Sequence, residues 1–316
     1  MDTVPARVAS RSREVSSRRF LQLAAVSLFA LYVVVTSGAV VRLTASGLGC
    51  DNWPRCGDKP YPEKGGHAAI EFSNRMVALI GILLTLVTWL AARKVHSLPT
   101  RVRLLALLTF LGTVAQIPLG GVTVLLDLHP VAVMSHFLLA LIVLAGALVV
   151  AVEAWSNDRG LAPAVGPHRL RVAAGVGVTA CAVLVVTGSV ATAAGPHSGG
   201  EDIRRLGLTV TDAVYVHVRA TAVYGIVLLV VGWYLLRLRR DYPGVVKAGL
   251  ALLLVLLAQM AVGEIQYRDA LPWGLVLAHV ALAATIWVLT VLVAYALWRP
   301  PAQLAAHAAQ RPGVSG

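Results

Sequence analysis

Ala115-Gln116-Ile117-Pro118-Leu119-Gly120 and Ala258-Gln259-Met260-Ala261-Val262-Gly263 are two copies of one pattern, 143 residues apart. Both lie inside long apolar runs, and the same offset carries further. It moves His136 onto His279, so in each copy a Gln precedes a His by 20 residues. It also moves Asn74 onto His217. Thr36-Ser37-Gly38-Ala39-Val40 and Thr187-Gly188-Ser189-Val190 form another related pair, at a slightly different offset. Repeats of this kind mark membrane proteins built from two similar halves around a shared axis.

The apolar runs around these copies number eight. They read as helices at about 20–41, 73–92, 103–126, 130–153, 171–193, 213–236, 246–266 and 272–297, each long enough for a hydrocarbon core that needs about 20 helical residues. Only 13% of the 316 residues are charged and 58% are hydrophobic; a soluble domain carries roughly a quarter charged residues. The mean hydropathy is +0.76. The first run is too long for the apolar part of a cleaved leader, and Arg42 follows it with no convincing small-residue cleavage site. The fold class expected is an all-α integral membrane protein of eight transmembrane helices, arranged as two pseudo-symmetric four-helix bundles.

The formal charge of +12 does not point to nucleic acid, because the basic residues form no single face interleaved with aromatics. They fall in short tracts between the apolar runs. The N-terminal tail, the even-numbered loops and the C-terminal tail hold 18 of the 27 Lys and Arg, whereas the odd-numbered loops hold seven. By the positive-inside rule both termini are cytoplasmic, in a cell (plasma) membrane, and the odd loops face outward. Both halves then start inside and run outward, so the repeat is parallel, about an axis along the membrane normal. The domain plan is a tail at 1–19, a first half at 20–153, a linker at 154–170, a second half at 171–297 and a tail at 298–316.

Cys50 and Cys56 lie in the first outer loop, in Gly49-Cys50-Asp51-Asn52-Trp53-Pro54-Arg55-Cys56. An oxidising exterior permits a disulfide there, and Asn-Trp-Pro is a turn-forming segment; a pair of free thiols is the alternative. Cys181, alone in helix five, reads as a small apolar packing residue.

Ionisable groups inside bilayer helices are expensive and need a reason. His217 and His279 fall one to two turns below the outer ends of helices six and eight. Two neutral imidazoles on facing helices suit an iron porphyrin, one on each axial face; two histidines each bonded to a backbone carbonyl is the plainer reading. In the first half His136 is present, but its partner position holds Asn74, a weak iron ligand. Glu71 lies one turn before Asn74 on the same helix face. That asymmetry suggests electron transfer in the second half and chemistry in the first, against the simpler reading of Glu71 and Arg75 as an i,i+4 ion pair. Arg42, Arg75 and Arg219 are candidates for haem propionates or for snorkelling to the interface. His67, His129 and His197 read singly as solvated or capping residues and together as the lining of an entrance.

With these features together, the chain resembles the haem A synthases of the haem-copper oxidase assembly pathway. The resemblance covers nearly all of residues 20–297, through the Cys50–Cys56 loop, the Glu71-to-Arg75 cluster, and His136, His217 and His279. The Gly195-Pro196-His197-Ser198-Gly199 loop looks like the actinobacterial form. The resemblance implies an oxidoreductase that converts the C8 methyl of haem O to a formyl group by successive hydroxylations. It implies haem b on His217 and His279 in the second half. The substrate haem O would lie in the first, with His136 on iron, Asn74 and Arg75 beside it and Glu71 catalytic. Many members have a histidine where this chain has Asn74. Implied partners are membrane lipid, a quinol or other electron carrier, and haem O synthase or oxidase assembly factors. The alternative is an intramembrane cytochrome b that transfers electrons without modifying haem. A prenyltransferase would need Asp-rich motifs, and the sequence has none.

Overall fold

The computed structural model describes residues 14–50, 52–62, 65–161, 168–200, 203–237, 239–240 and 243–298. Arg7, Arg11, Arg13, Asp51, Arg299, His307, Arg311 and most of the 154–170 linker's second half lie outside the described residues. Among them run eight helices: α1 Ser17–Leu43, α2 Gly66–Ala92, α3 Thr100–Leu125, α4 Pro130–Asp158, α5 His168–Ala194, α6 Val210–Arg237, α7 Pro243–Arg268 and α8 Trp273–Trp298. All eight are long and apolar enough to cross a membrane. The protein is a multi-pass membrane protein.

The helices overrun the apolar stretches that predict them, because polar residues complete their ends. Ser16 caps α1 by accepting from the Arg19 N–H. Proline opens α4 and α7, where its missing N–H costs nothing. α2 begins seven residues before the apolar run, so Glu71, Asn74 and Arg75 sit within its first three turns. Hydropathy alone does not see those seven residues, about two turns.

The boundaries restate the repeat. α3 and α7 start at residues 100 and 243 and end at 125 and 268; α4 and α8 start at 130 and 273. α1 and α5 start at 17 and 168 and end at 43 and 194, and their buried faces match at an offset of 150, Phe20 with Leu170, Ala24 with Ala174, Leu31 with Cys181 and Ala39 with Ser189. Even the α3–α4 and α7–α8 turns match. Asp127 and Leu128 have positive φ, as do Ala270 and Leu271. The Leu128 N–H bonds the Thr123 carbonyl at 2.8 Å and that of Leu271 bonds Gln266 at 2.7 Å. The second turn residue is leucine in both, Leu128 and Leu271, and the backbone carries the rest of the likeness.

Each half is a ring of four helices. α1 and α3 both pack on α2 and α4; α5 and α7 both pack on α6 and α8. The halves meet where α1 and α4 lie against α8, and α4 against α5. Lipid is as apolar as leucine, so polar ties give this interface its specificity. Trp287 Nε1 donates to the Leu141 carbonyl at 2.8 Å and the Tyr32 hydroxyl to that of Ala281 at 2.9 Å. The Tyr295 hydroxyl donates to Glu153, a buried carboxylate of α4 that also accepts two 3.0 Å bonds from Arg101. α6 faces outward, with Ile226, Leu229 and Val230 exposed, as lipid contact requires.

Candidate functional site

In the second half, His217 of α6 and His279 of α8 lie six or seven residues inside their helices, about 10 Å deep at 1.5 Å per residue. Each ring rests on a glycine of the neighbouring helix. A Cβ at Gly188 would lie 2.9 Å from His217 Cε1, and one at Gly263 would lie 3.0 Å from His279 Cε1. Only a residue without a side chain lets the rings lie so close. Thr187 Oγ1 stands 3.2 Å from His217 Nδ1 and fixes that edge of the ring. The ring centroids are 6.4 Å apart, with planes at 70°.

That separation tests what the pair can hold. Two imidazoles bound to one metal from opposite sides, each at about 2 Å from nitrogen to metal, place their centroids roughly 6 Å apart. Among the described residues there is no group of three or more His, Cys, Asp or Glu able to hold a metal ion. A metal here must bring its own equatorial ligands, as haem iron does. The residues present fit a haem.

The first half repeats part of this. A Cβ at Gly120 would lie 3.2 Å from His136 Cε1, and Gln116 Nε2 donates to the His136 carbonyl at 3.3 Å. Four buried polar atoms without hydrogen-bond partners follow the repeat: Nδ1 of His136 and His279, and Oε1 of Gln116 and Gln259. Buried polar atoms normally find partners, so matched orphans in both halves mark where a ligand or water belongs. Asn74 takes the place of His217, its carboxamide bonded to Ser37 Oγ at 2.7 Å as the His217 ring meets Thr187 Oγ1.

Above this site the α1–α2 connection is folded down. Cys50 and Cys56 form a disulfide, and Cys50 is fully buried. Glu71, 5% exposed, accepts the Cys50 N–H at 2.8 Å and pairs with Arg75. Arg75 reaches on to the carbonyls of Pro54 and Arg55 at 3.2 and 3.1 Å. The ion pair weighed from sequence is therefore present, and the guanidinium offered to a propionate is committed to Glu71 and the loop. Trp53 lies over α3, where a Cβ at Gly121 would be 2.8 Å from its ring.

Two of the three loop histidines also have structural partners. His67 Nδ1 is 2.9 Å from Ser46 Oγ, and His197 Nε2 donates to the Leu271 carbonyl at 2.7 Å. His129 precedes α4 and makes no side-chain capping bond. The Gly47 N–H bonds the Gly199 carbonyl at 2.9 Å, tying the first loop to the loop of the second half. Arg219 lies over the Tyr215 ring, an exposed position that suits an interface anchor. Cys181 is buried and free.

Sequence reasoning missed the three glycines, Ser37 and the Glu153 cluster. Gly120 and Gly263 stand in the repeated pattern itself, each spaced like its histidine, and that spacing was the available signal.

The fold is a two-half membrane bundle with two intramembrane histidines facing each other in its second half. Residues 21–291 match the COX15-CtaA family, described as Cytochrome oxidase assembly protein, and the chain belongs to that family. It is similar to the Heme A synthase of Bacillus pumilus (strain SAFR-032), at 28% identity over 147 residues, 46% of this chain and 48% of the relative. The Heme A synthase of Bacillus mycoides (strain KBAB4) is 33% identical over 139 residues, 42% and 43% of the two chains. That of Lysinibacillus sphaericus (strain C3-41) is 32% identical over 135 residues, 41% and 43%. The chain spans about half the length of the curated relatives it matches.

Proposed function

We propose that this protein is a haem A synthase, which oxidises the C8 methyl of haem O to a formyl group for haem-copper oxidase assembly. The observation that carries the reading is the unequal repeat. One half sets two histidines 6.4 Å apart; the other keeps one histidine and places a buried glutamate beneath a disulfide-closed loop. An electron-transfer cytochrome needs no such difference between its halves. Family membership and the names of the relatives support the same activity.

In this reading His217 and His279 hold haem b, which supplies one-electron transfer. Gly188 and Gly263 admit the two rings, and Thr187 orients the first. Haem O binds in the first half with its iron on His136. Glu71 is the proton acceptor as the methyl is oxidised, or stabilises positive charge developing there. Two hydroxylations, each adding the oxygen of one water and releasing two electrons to the carrier and two protons, give a geminal diol, which loses water to leave the formyl group. The Cys50–Cys56 loop, held by Glu71 and Arg75, keeps bulk water from the reacting edge. We place the protein in the cell membrane with both termini cytoplasmic. The quinone form of a quinol carrier, or another electron carrier, accepts the electrons, and haem O synthase or oxidase assembly factors are partners in delivery.

The test is incubation of the purified chain with haem O and an electron carrier, followed by mass analysis of extracted haem. Hydroxylated and formyl products are expected. Unchanged haem O, with haem b bound and reducible, contradicts the proposal.

A further inference from the structure

Among the described residues, four tryptophans carry an arginine on the ring face, and all four pairs lie at one end of the bundle. The Arg93 guanidinium stands over Trp89 at the end of α2, 5.4 Å from the ring centroid, and that of Arg159 over Trp155 at the end of α4, at 5.8 Å. Arg237 stands over Trp233 at the end of α6, at 3.8 Å, and Arg171 over Trp298 at the end of α8, at 5.5 Å. Helices alternate in direction across a bilayer, so the ends of the even-numbered helices and the start of α5 share one side. That is the side with the greater share of Lys and Arg. The repeat carries the arrangement too. Trp89 and Arg93 recur 144 residues on as Trp233 and Arg237, and Trp155 recurs 143 residues on as Trp298.

Three of the pairs are i,i+4 neighbours on one helix, and a cation suits a helix C-terminus. The helix dipole does not explain the indole under each guanidinium, nor Arg171. Arg171 lies in the first turn of α5, where its own helix disfavours a cation, and it reaches across to Trp298 of α8. Its Nε is buried without a hydrogen-bond partner. Ion pairs among the described residues use Arg75, His96, Arg101 and Arg268; none of the four stacked arginines has a carboxylate. A guanidinium stacked on an aromatic ring keeps its fork of N–H donors free for a planar oxyanion contact. Trp155, Trp233 and Trp298 are exposed, at the level where indole rings sit against lipid headgroups. The pairs belong to four different helices, two in each half, which suits many small anions better than one protein partner.

We infer that the four Arg–Trp pairs are binding sites for the phosphate groups of anionic phospholipids in the leaflet at that end. Each guanidinium donates to headgroup oxygens while the indole lies along the head of the acyl chains. A basic residue near an anionic bilayer surface favours such a lipid about fivefold. A zwitterionic lipid carries the same phosphate with its own cation beside it and gains less. The inference is independent of the reaction at the haem sites.

Tryptophan fluorescence tests it, because bromine on a lipid chain quenches an indole that the lipid touches. The full-length chain is reconstituted as purified in mixed vesicles of phosphatidylglycerol and phosphatidylcholine, with bromine on one lipid or the other. The seven tryptophans together should report a preference of about twofold or more for the anionic lipid, four of them being at the sites. Arg93→Gln, Arg159→Gln, Arg171→Gln and Arg237→Gln combined should bring the two lipids to parity. Arg204→Gln, an exposed position of the α5–α6 loop on the other side, should leave the preference unchanged. An unchanged helical circular dichroism spectrum reports folding in each variant. Equal quenching by the two lipids in the wild type overturns the inference and leaves the four arginines to an acidic protein surface. A preference that survives the fourfold substitution, or that falls as far in Arg204→Gln, overturns the assignment to these pairs.

Discussion

Gly263→Ala puts one methyl group against one imidazole. The added Cβ would lie 3.0 Å from His279 Cε1 and 3.4 Å from Nδ1, whereas carbon contacts settle at about 3.5–4.0 Å. The ring must therefore retreat by about 0.5–1 Å, and metal–ligand distances tolerate only about 0.2 Å. Forcing an extra methyl into a packed site costs about 1–3 kcal/mol, which is roughly 5–150-fold in haem affinity. The chain without haem can turn the ring aside, and alanine is the better helix former by about 1 kcal/mol. Its stability should not fall. Haem titration into the haem-free protein, with a thermal melt in detergent, separates the two effects. Gly225→Ala is the control, since nothing lies within 4 Å of a Cβ there. A Gly263→Ala protein that binds haem with wild-type affinity and an unchanged spectrum refutes the reasoning.

Three further substitutions test the other half and the seam between halves. Glu71→Gln keeps the shape and removes the charge, so product formation from haem O should fall about 100-fold or more while the haem b spectrum persists. Gly121→Ala pushes at the Trp53 ring, where its Cβ would lie 2.8 Å away; faster proteolysis of the 50–56 loop should follow, with second-half haem retained. Glu153→Gln breaks the contacts with Arg101 and Tyr295. Because the Arg101 side chain is 39% exposed, the cost should be roughly 1–3 kcal/mol rather than that of a fully buried pair, read as a lower melting temperature.

The helices, the repeat and the histidines were legible because each leaves a periodic or compositional trace. A 20-residue apolar run and a fixed Gln–His spacing survive in one dimension. The turns at Asp127–Leu128 and Ala270–Leu271 did not, since one shared leucine is a weak trace and their likeness lies mainly in left-handed backbone. Arg101 precedes the apolar run at 103–126, yet it belongs to the first turn of α3 and reaches Glu153 on α4. Glu71 was seen as an ionisable residue facing a site. That it holds the Cys50 backbone, with Arg75 holding the loop beyond, depends on where the 22-residue connection between α1 and α2 folds back. Ser37 and Asn74 are polar residues on different helices, and only packing shows them paired.

The central claim is that the halves divide the work, one retaining haem b and the other presenting haem O. Substituting one histidine in each half and scoring both retained haem and product tests it most directly. His136→Ala should keep the reduced haem b spectrum and form no formyl haem; His279→Ala should lose haem b. Loss of haem b in His136→Ala with retention in His279→Ala, or formyl haem from His136→Ala at the wild-type rate, would contradict the division.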